Sequence, residues 1–244
     1  MPKKVILMLF LTSLLLSCAV DQQINLNNDG SGTVESGVYL ESFFLTTLQD
    51  LTDLNNSGTN GGNRLEADSI AAEMAQNPFF SDIRVESPSE GQYTGSLKFN
   101  HIEELFLSAG GSPENRILEY SDLGGGEKQL DIRINYDNFN QIFQLFPMLQ
   151  DPGFQYFLPE RSISEAEYTD MLLFLFEDSE GISERALKSL IRTASLKLLI
   201  SVDGTITEQQ GGQKLNDSTM RISLPLVKLL LHKEEISYSL RYRI

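Results

Sequence analysis

Apolar residues in this chain recur at every second position, in one segment after another. Ile24 and Leu26 alternate before the turn Asn28-Asp29-Gly30-Ser31-Gly32, and Val34, Val38 and Leu40 alternate after it. The same period returns at Tyr93-Gly95-Leu97-Phe99, at Leu130-Ile132-Ile134-Tyr136, at Leu196-Leu198-Ile200-Val202, at Met220-Ile222-Leu224 and at Ile236-Tyr238-Leu240-Tyr242-Ile244. A period of two puts alternate side chains on opposite faces of a strand. Asp-Gly and poly-Gly turns between such runs supply the positive φ angles that hairpins need. Helical spacing appears between them: Phe44, Leu48 and Leu51 on one stripe, Phe139, Ile142, Phe143 and Phe146 on another. Two further helices are predicted over Glu165–Phe176 and Ser183–Ala194, the second with Ser183 as its cap. The fold class expected is therefore α+β: a mostly antiparallel sheet built from hairpins, with several interleaved helices. Gly124-Gly125-Gly126 belongs to a hairpin turn. No repeat of solenoid length is present.

The N-terminus constrains location. Lys3 and Lys4 precede twelve residues, Val5 to Leu16, that are apolar except at Thr12 and Ser13. As a helix this run measures about 18 Å at 1.5 Å per residue. A bilayer span needs roughly 20 apolar residues, so the run suits the core of an export signal. It ends in Leu15-Leu16-Ser17-Cys18, and Cys18 is the sole cysteine of 244 residues. These four residues resemble the lipobox of bacterial lipoproteins, with Leu16 where Ala or Ser is commoner. The resemblance implies cleavage before Cys18, a diacylglycerol thioether on its sulfur and acylation of its new amino group. One acyl chain binds a membrane only marginally, whereas two or three hold it durably. Ala19 follows the cysteine in place of Asp, which by enterobacterial sorting logic directs a lipoprotein to the outer rather than the inner membrane. Residues 1–17 are thus read as signal and 18–23 as a short tether, reaching roughly 20 Å at about 3.3 Å per residue. Residues 24–244 are read as one envelope domain, with the helix-rich stretch 137–195 as an insertion.

A second resemblance rests on Val20-Asp21 followed by Ile24-Asn25-Leu26-Asn27-Asn28-Asp29-Gly30-Ser31-Gly32-Thr33-Val34, and on Leu198-Leu199-Ile200-Ser201-Val202-Asp203-Gly204-Thr205-Ile206. Both segments are similar to the opening and closing hairpins of LppM-type lipoprotein domains. That implies an envelope domain with a lipid or glycolipid role and carries over no catalytic residue. The stretch from Asn100 to Ala194 lies outside the resemblance, and the C-terminal transmembrane helix of such proteins has no counterpart in the strand ending at Ile244.

Charge excludes some partners. Without Lys3 and Lys4 the chain has 17 basic residues against 34 acidic, a net −17. Such a charge disfavours nucleic acid and, for the domain as a whole, anionic surfaces. Catalytic and metal-binding signatures are missing from the sequence. Asn25-x-Asn27-x-Asp29-Gly30 imitates the start of a calcium loop, but Ser36 stands where a bidentate Glu is needed. His101-x-Glu103-Glu104 lacks the second His of a zinc-protease helix, His232 sits in a polar turn, and no nucleophile elbow or phosphate loop is present. No catalytic residue, metal or cofactor is expected.

Two surfaces remain. The segment from Phe146 to Pro159 combines three prolines with large apolar residues. Phe154, Tyr156 and Phe157 within it are read either as core or as an apolar contact for lipid or a partner protein. Arg185, Lys188 and Arg192 fall on one face of the predicted helix at i, i+3 and i+7. They are candidates for contact with lipid headgroups, or else a solvated face paired with acids. The sequence thus points to a lipid-anchored domain that binds rather than catalyses, for lipid or glycolipid. Docking of another envelope protein is the alternative, and an unrecognised hydrolase comes third. An enclosed apolar cavity favours the first, a flat apolar patch the second, and a nucleophile in a polar cleft the third.

Overall fold

The computed structural model describes residues 19–55, 66–107, 115–145, 156–160, 162–177, 179, 182–231 and 233–244. Strands β1 (Ala19–Leu26) and β2 (Gly32–Tyr39) form the first hairpin and lead into helix α1 (Ser42–Asn55). Helix α2 (Ala67–Met74) precedes the hairpin β3 (Phe80–Ser89) and β4 (Gln92–Phe99). The short α3 (Glu104–Leu107), the hairpin β5 (Leu118–Gly124) and β6 (Glu127–Ile134), and α4 (Asn140–Leu145) follow. Helices α5 (Glu165–Leu175) and α6 (Glu184–Thr193) lead to β7 (Ser195–Val202), β8 (Thr205–Gln210), β9 (Gln213–Lys214) and β10 (Thr219–Pro225). Helix α7 (Leu226–Leu231) and β11 (Ile236–Arg243) complete the chain.

The strands form two sheets. The larger has the order β3-β4-β2-β1-β7-β10-β9 and the smaller β5-β6-β11-β8. All pairings are antiparallel except β1 with β7, which run parallel in register from Ala19↔Ser195 to Leu26↔Val202. This is the expected α+β class. The segments Ile24–Val34 and Leu198–Ile206 thus lie side by side along β1 and β7, and their turns are joined. The Asp203 amide donates to the Leu26 carbonyl at 3.1 Å, and the Asn28 side-chain amide donates to Asp203 at 3.1 Å. The hairpins then diverge: β2 stays in the larger sheet, whereas β8 crosses to the smaller. Gly204 permits that corner, because a Cβ there would lie 2.6 Å from the Arg243 carbonyl oxygen.

One apolar cluster lies between the sheets. Leu26, Phe99, Ile200, Met220 and Ile222 of the larger sheet meet Leu130, Ile132, Ile206, Leu240 and Tyr242 of the smaller, with Ile102 wedged at the seam. Ile200, Leu240 and Tyr242 are wholly buried. A second cluster joins the helices: Leu48 of α1, Phe157, Tyr168 and Leu172 of α5, Phe176, Leu187 and Ile191 of α6, and Val227 of α7. Helix α5 starts at a capping box, with Ser164 and Glu167 each accepting from the other's backbone N–H. Ser183 caps α6 by accepting from the Ala186 amide.

Two expectations change. The tether assigned to residues 18–23 is largely strand: β1 begins at Ala19 and is paired on both sides from its first residue. Periodicity hid this because Asp21, Gln22 and Gln23 interrupt the apolar alternation, while the backbone ladder is indifferent to side-chain polarity. Residues 226–231 form a helix where none was read. Leu226-Val227-Lys228-Leu229-Leu230-Leu231 is too uniformly apolar to show a period.

Candidate functional site

The inner face of the larger sheet is not uniform. Successive lateral rows of side chains can be followed from strand to strand by their register. One row reads Leu97, Val34, Ile24, Ile200, Met220. Another has Tyr93 and Val38 on one side of β1 and Leu196 and Leu224 on the other. Between them lies the row Val85, Gly95, Ser36, Gln22, Leu198, Ile222. At its centre three consecutive positions carry no large apolar side chain. Gly95 contributes no side chain at all, and Ser36 only a hydroxymethyl group.

A cavity of about 380 Å³ lies over this notch. Its floor is the inner face of β2, β4 and β7, with Val34, Val38, Tyr93 and Leu196. Its roof is formed by Phe43 and Phe44 of α1, Leu172 of α5, and Leu187, Leu190 and Ile191 of α6. Ile70 and Met74 of α2 and Ile142 of α4 complete the wall. Because the void is there, Val34, Val38, Tyr93 and Leu196 are only half-buried, although they point inward. Pockets of about 300–1,000 Å³, mostly apolar with a few polar groups, are the usual form of small-molecule sites. Among the described residues Arg84 is the one charged residue on the lining. It lies between inward Ile83 and Val85, so the strand's alternation assigns its side chain to the outer face.

The aromatic segment divides. Phe157 is 5% exposed, with its ring stacked 5.6 Å from Phe176 and tilted 5.1 Å from Phe44. The buried Tyr168 hydroxyl donates to the Phe157 carbonyl at 2.6 Å, and burial holds that phenol above its ordinary pKa. Phe157 is therefore core and cavity wall at once. Tyr156 next to it is 42% exposed. Phe154 and Cys18 lie outside the described residues.

Arg185, Lys188 and Arg192 are exposed along α6, opposite the Leu187, Leu190 and Ile191 face that roofs the cavity. None of the three makes an ion pair among the described residues, so the acid-paired reading of this stripe is not seen there. Arg192 lies in the last turn of α6, three residues before β7, whose first residue, Ser195, pairs with Ala19. Tyr39, Leu40, Ala194 and Leu196 line the cavity at this same end of the sheet. The residue that follows Cys18, one end of the cavity and one end of the basic stripe thus share a neighbourhood.

The other chemistry-bearing residues are engaged elsewhere. The Asp29 carboxylate accepts from the Ser31 amide and hydroxyl, which holds its pKa below the usual range, and Asn25 donates to Thr33. His101 lies edge-on to Tyr120 and 3.8 Å from Glu103, while His232 is outside the described residues. Among the described residues no three His, Cys, Asp or Glu side chains converge to hold a metal ion, and no helix is long and apolar enough to cross a membrane. Sequence reasoning missed Gln22, Ser36 and Gly95. Three adjacent small or polar positions on the inner face would have marked them, had the register been known.

No family model matches the chain, and no curated protein matches it. Among solved structures it is similar to the folded domain of the Mycobacterium tuberculosis LppM protein, determined by NMR. The identity is 13% over 92% of this chain and 88% of that one, with a TM-score of 0.37.

Proposed function

We propose that the protein is a lipid-anchored envelope lipoprotein whose domain holds the apolar part of a lipid or glycolipid without transforming it. The cavity between the larger sheet and the helices is the observation that carries this reading. The cavity is partly open and leaves apolar surface unpacked when empty, so a ligand chain that fills it adds burial at about 0.8 kcal/mol per methylene. Acylation of Cys18 places the anchor one residue from β1, with no tether between membrane and sheet. The cavity's Ala194–Leu196 end and Arg192 then lie close to the headgroups. There the stripe Arg185, Lys188 and Arg192 is suited to phosphate groups, at about 1 kcal/mol per basic residue near an anionic surface. An outer-membrane location follows from Ala19 by the sorting logic above.

Native mass spectrometry of the protein extracted from membranes in mild detergent tests this. The expected spectrum has the diacylglycerol and acyl masses on the peptide beginning at Cys18, together with one co-purified lipid lost on harsher activation. Cys18→Ala should remove the covalent lipid and leave an uncleaved or soluble product, with the cavity's ligand still in place. A wild-type protein that carries no lipid of either kind contradicts the proposal.

A further inference from the structure

Gln22 and Ser36 are anomalous in the cavity floor. They face one another across the β1–β2 pair, where directly opposed Cβ atoms lie about 4.5–5.5 Å apart. Both line the cavity, and both are half-buried. Among the described residues neither side chain makes a hydrogen bond, although Gln23 and Asn25 on the same strand are engaged with one another. The rows on either side are filled with large aliphatic and aromatic groups, so a Leu–Val pair would suit this row equally well for folding. An amide left unpaired in an apolar surround is destabilising. Gly95 lies beside Ser36 in the same row and leaves the pair open to whatever fills the void.

We propose that Gln22 and Ser36 are the polar anchor of the ligand, and that the ligand is an amphiphile with an uncharged hydrogen-bonding group near its chain: an ester or amide carbonyl, or a hydroxyl. This rests on the cavity being an acyl-chain site. A primary amide and a hydroxyl can each donate and accept, and so match neutral groups of either polarity. An ionised carboxylate or phosphate at this depth would need a cation, and among the described residues no inward-facing basic side chain lines the cavity. Phosphate groups belong instead to the exterior, at the basic stripe. An open cleft on the outer face of the sheet also reaches Gln22, Ser36 and Gly95, but its flanking rows carry Asp21, Glu35, Lys197 and Arg221, a polar surround of mixed charge that does not suit an acyl chain.

The test uses delipidated Cys18→Ala protein and displacement of the neutral fluorophore N-phenyl-1-naphthylamine. Competitors are methyl laurate, monolauroylglycerol, and laurate at pH 8. The expected result is displacement by the two esters at about tenfold lower concentration than by laurate. In the Gln22→Leu, Ser36→Ala variant the esters should weaken by about three- to tenfold, the range for one hydrogen bond lost. The fluorophore's own affinity is measured in that variant, and the competitor affinities are taken relative to it. Should the double variant fail to fold, Gln22→Met carries the same comparison. Unaltered ester affinity in a variant that binds the fluorophore normally overturns the anchor and leaves the cavity reading intact. Laurate binding as tightly as the esters does the same. Failure of the wild-type protein to bind fluorophore or esters overturns the cavity reading itself.

Discussion

One sheet face meets two different partners in this molecule. Where the larger sheet lies against the smaller one, Ile200, Met220 and Ile222 are fully packed among Leu130, Leu240 and Tyr242. Where it lies under the helices, Val34, Val38, Tyr93 and Leu196 point inward yet stay half-buried above a void. Sheets pack face to face at one spacing, set by interdigitating side chains about 10 Å deep. A helical layer approaches at distances set by its own bulky residues. Phe44, Phe157 and Phe176 form an aromatic group within the roof, and the short row Gly95-Ser36-Gln22 beneath does not reach up to meet them. Two regions of comparable hydrophobicity therefore differ in packing: one is filled, and the other leaves a cavity.

The largest predicted effect falls on the roof's aromatic group. Phe157→Ala should destabilise by about 3–5 kcal/mol, as for a buried aromatic in a core, measured by urea denaturation. That is a large share of the roughly 5–15 kcal/mol total of a domain. Tyr156→Ala beside it, at a ring 42% exposed, should cost markedly less than Phe157→Ala.

Next comes the contrast itself. Ile200→Ala in the packed seam should cost about 2–5 kcal/mol, and Val38→Ala over the void should cost less than about 1 kcal/mol, because little contact is removed. Enlargement should reverse the ranking in a diagnostic way. Ile222→Phe should destabilise by about 1–3 kcal/mol through overpacking, whereas Val38→Phe should fold normally and exclude the fluorophore. Equal costs at the two sites in either series would erase the distinction between them.

A smaller effect concerns alkali. Burial raises the pKa of Tyr168 and of Tyr242, the latter also through its hydrogen bond with Tyr120 at 2.9 Å. In the unfolded chain both phenols ionise near pH 10. Their folded-state values lie above that, so the stability they contribute is complete below about pH 10 and declines as pH rises beyond it. Absorbance at 295 nm should show these two among the eight tyrosines titrating only as the protein melts. Titration of all eight before any loss of circular dichroism would refute it. Arg185→Gln, Lys188→Gln and Arg192→Gln together should leave the melting temperature unchanged and reduce sedimentation with anionic vesicles.

Strand alternation and turn chemistry made most of the architecture legible from the sequence, since inward Ile24, Leu26, Ile200 and Leu240 obey the period of two without exception. Helix α6 was equally legible: Ser183 caps it, and its buried and basic faces separate cleanly. The candidate site was not. Gln22 reads as part of a polar tether until β7 and β2 are known to flank it, because burial of a strand's first residues is decided by partners remote in sequence. A void is harder still to read, since it is a difference between the reach of side chains on layers that share no local pattern. The row Gly95-Ser36-Gln22 acquires meaning only from the register of three strands.

A chain-length series separates filling of the cavity from adsorption to the surface. Methyl esters of saturated acids with eight to eighteen carbons should bind the delipidated domain about fourfold more tightly per added methylene, from about 0.8 kcal/mol each, until the cavity is full. Affinity should then level off, and Val38→Phe should move that break to a shorter chain. An affinity that climbs with length to the end of the series and ignores Val38→Phe would show adsorption to the surface and no acyl-chain site in the cavity.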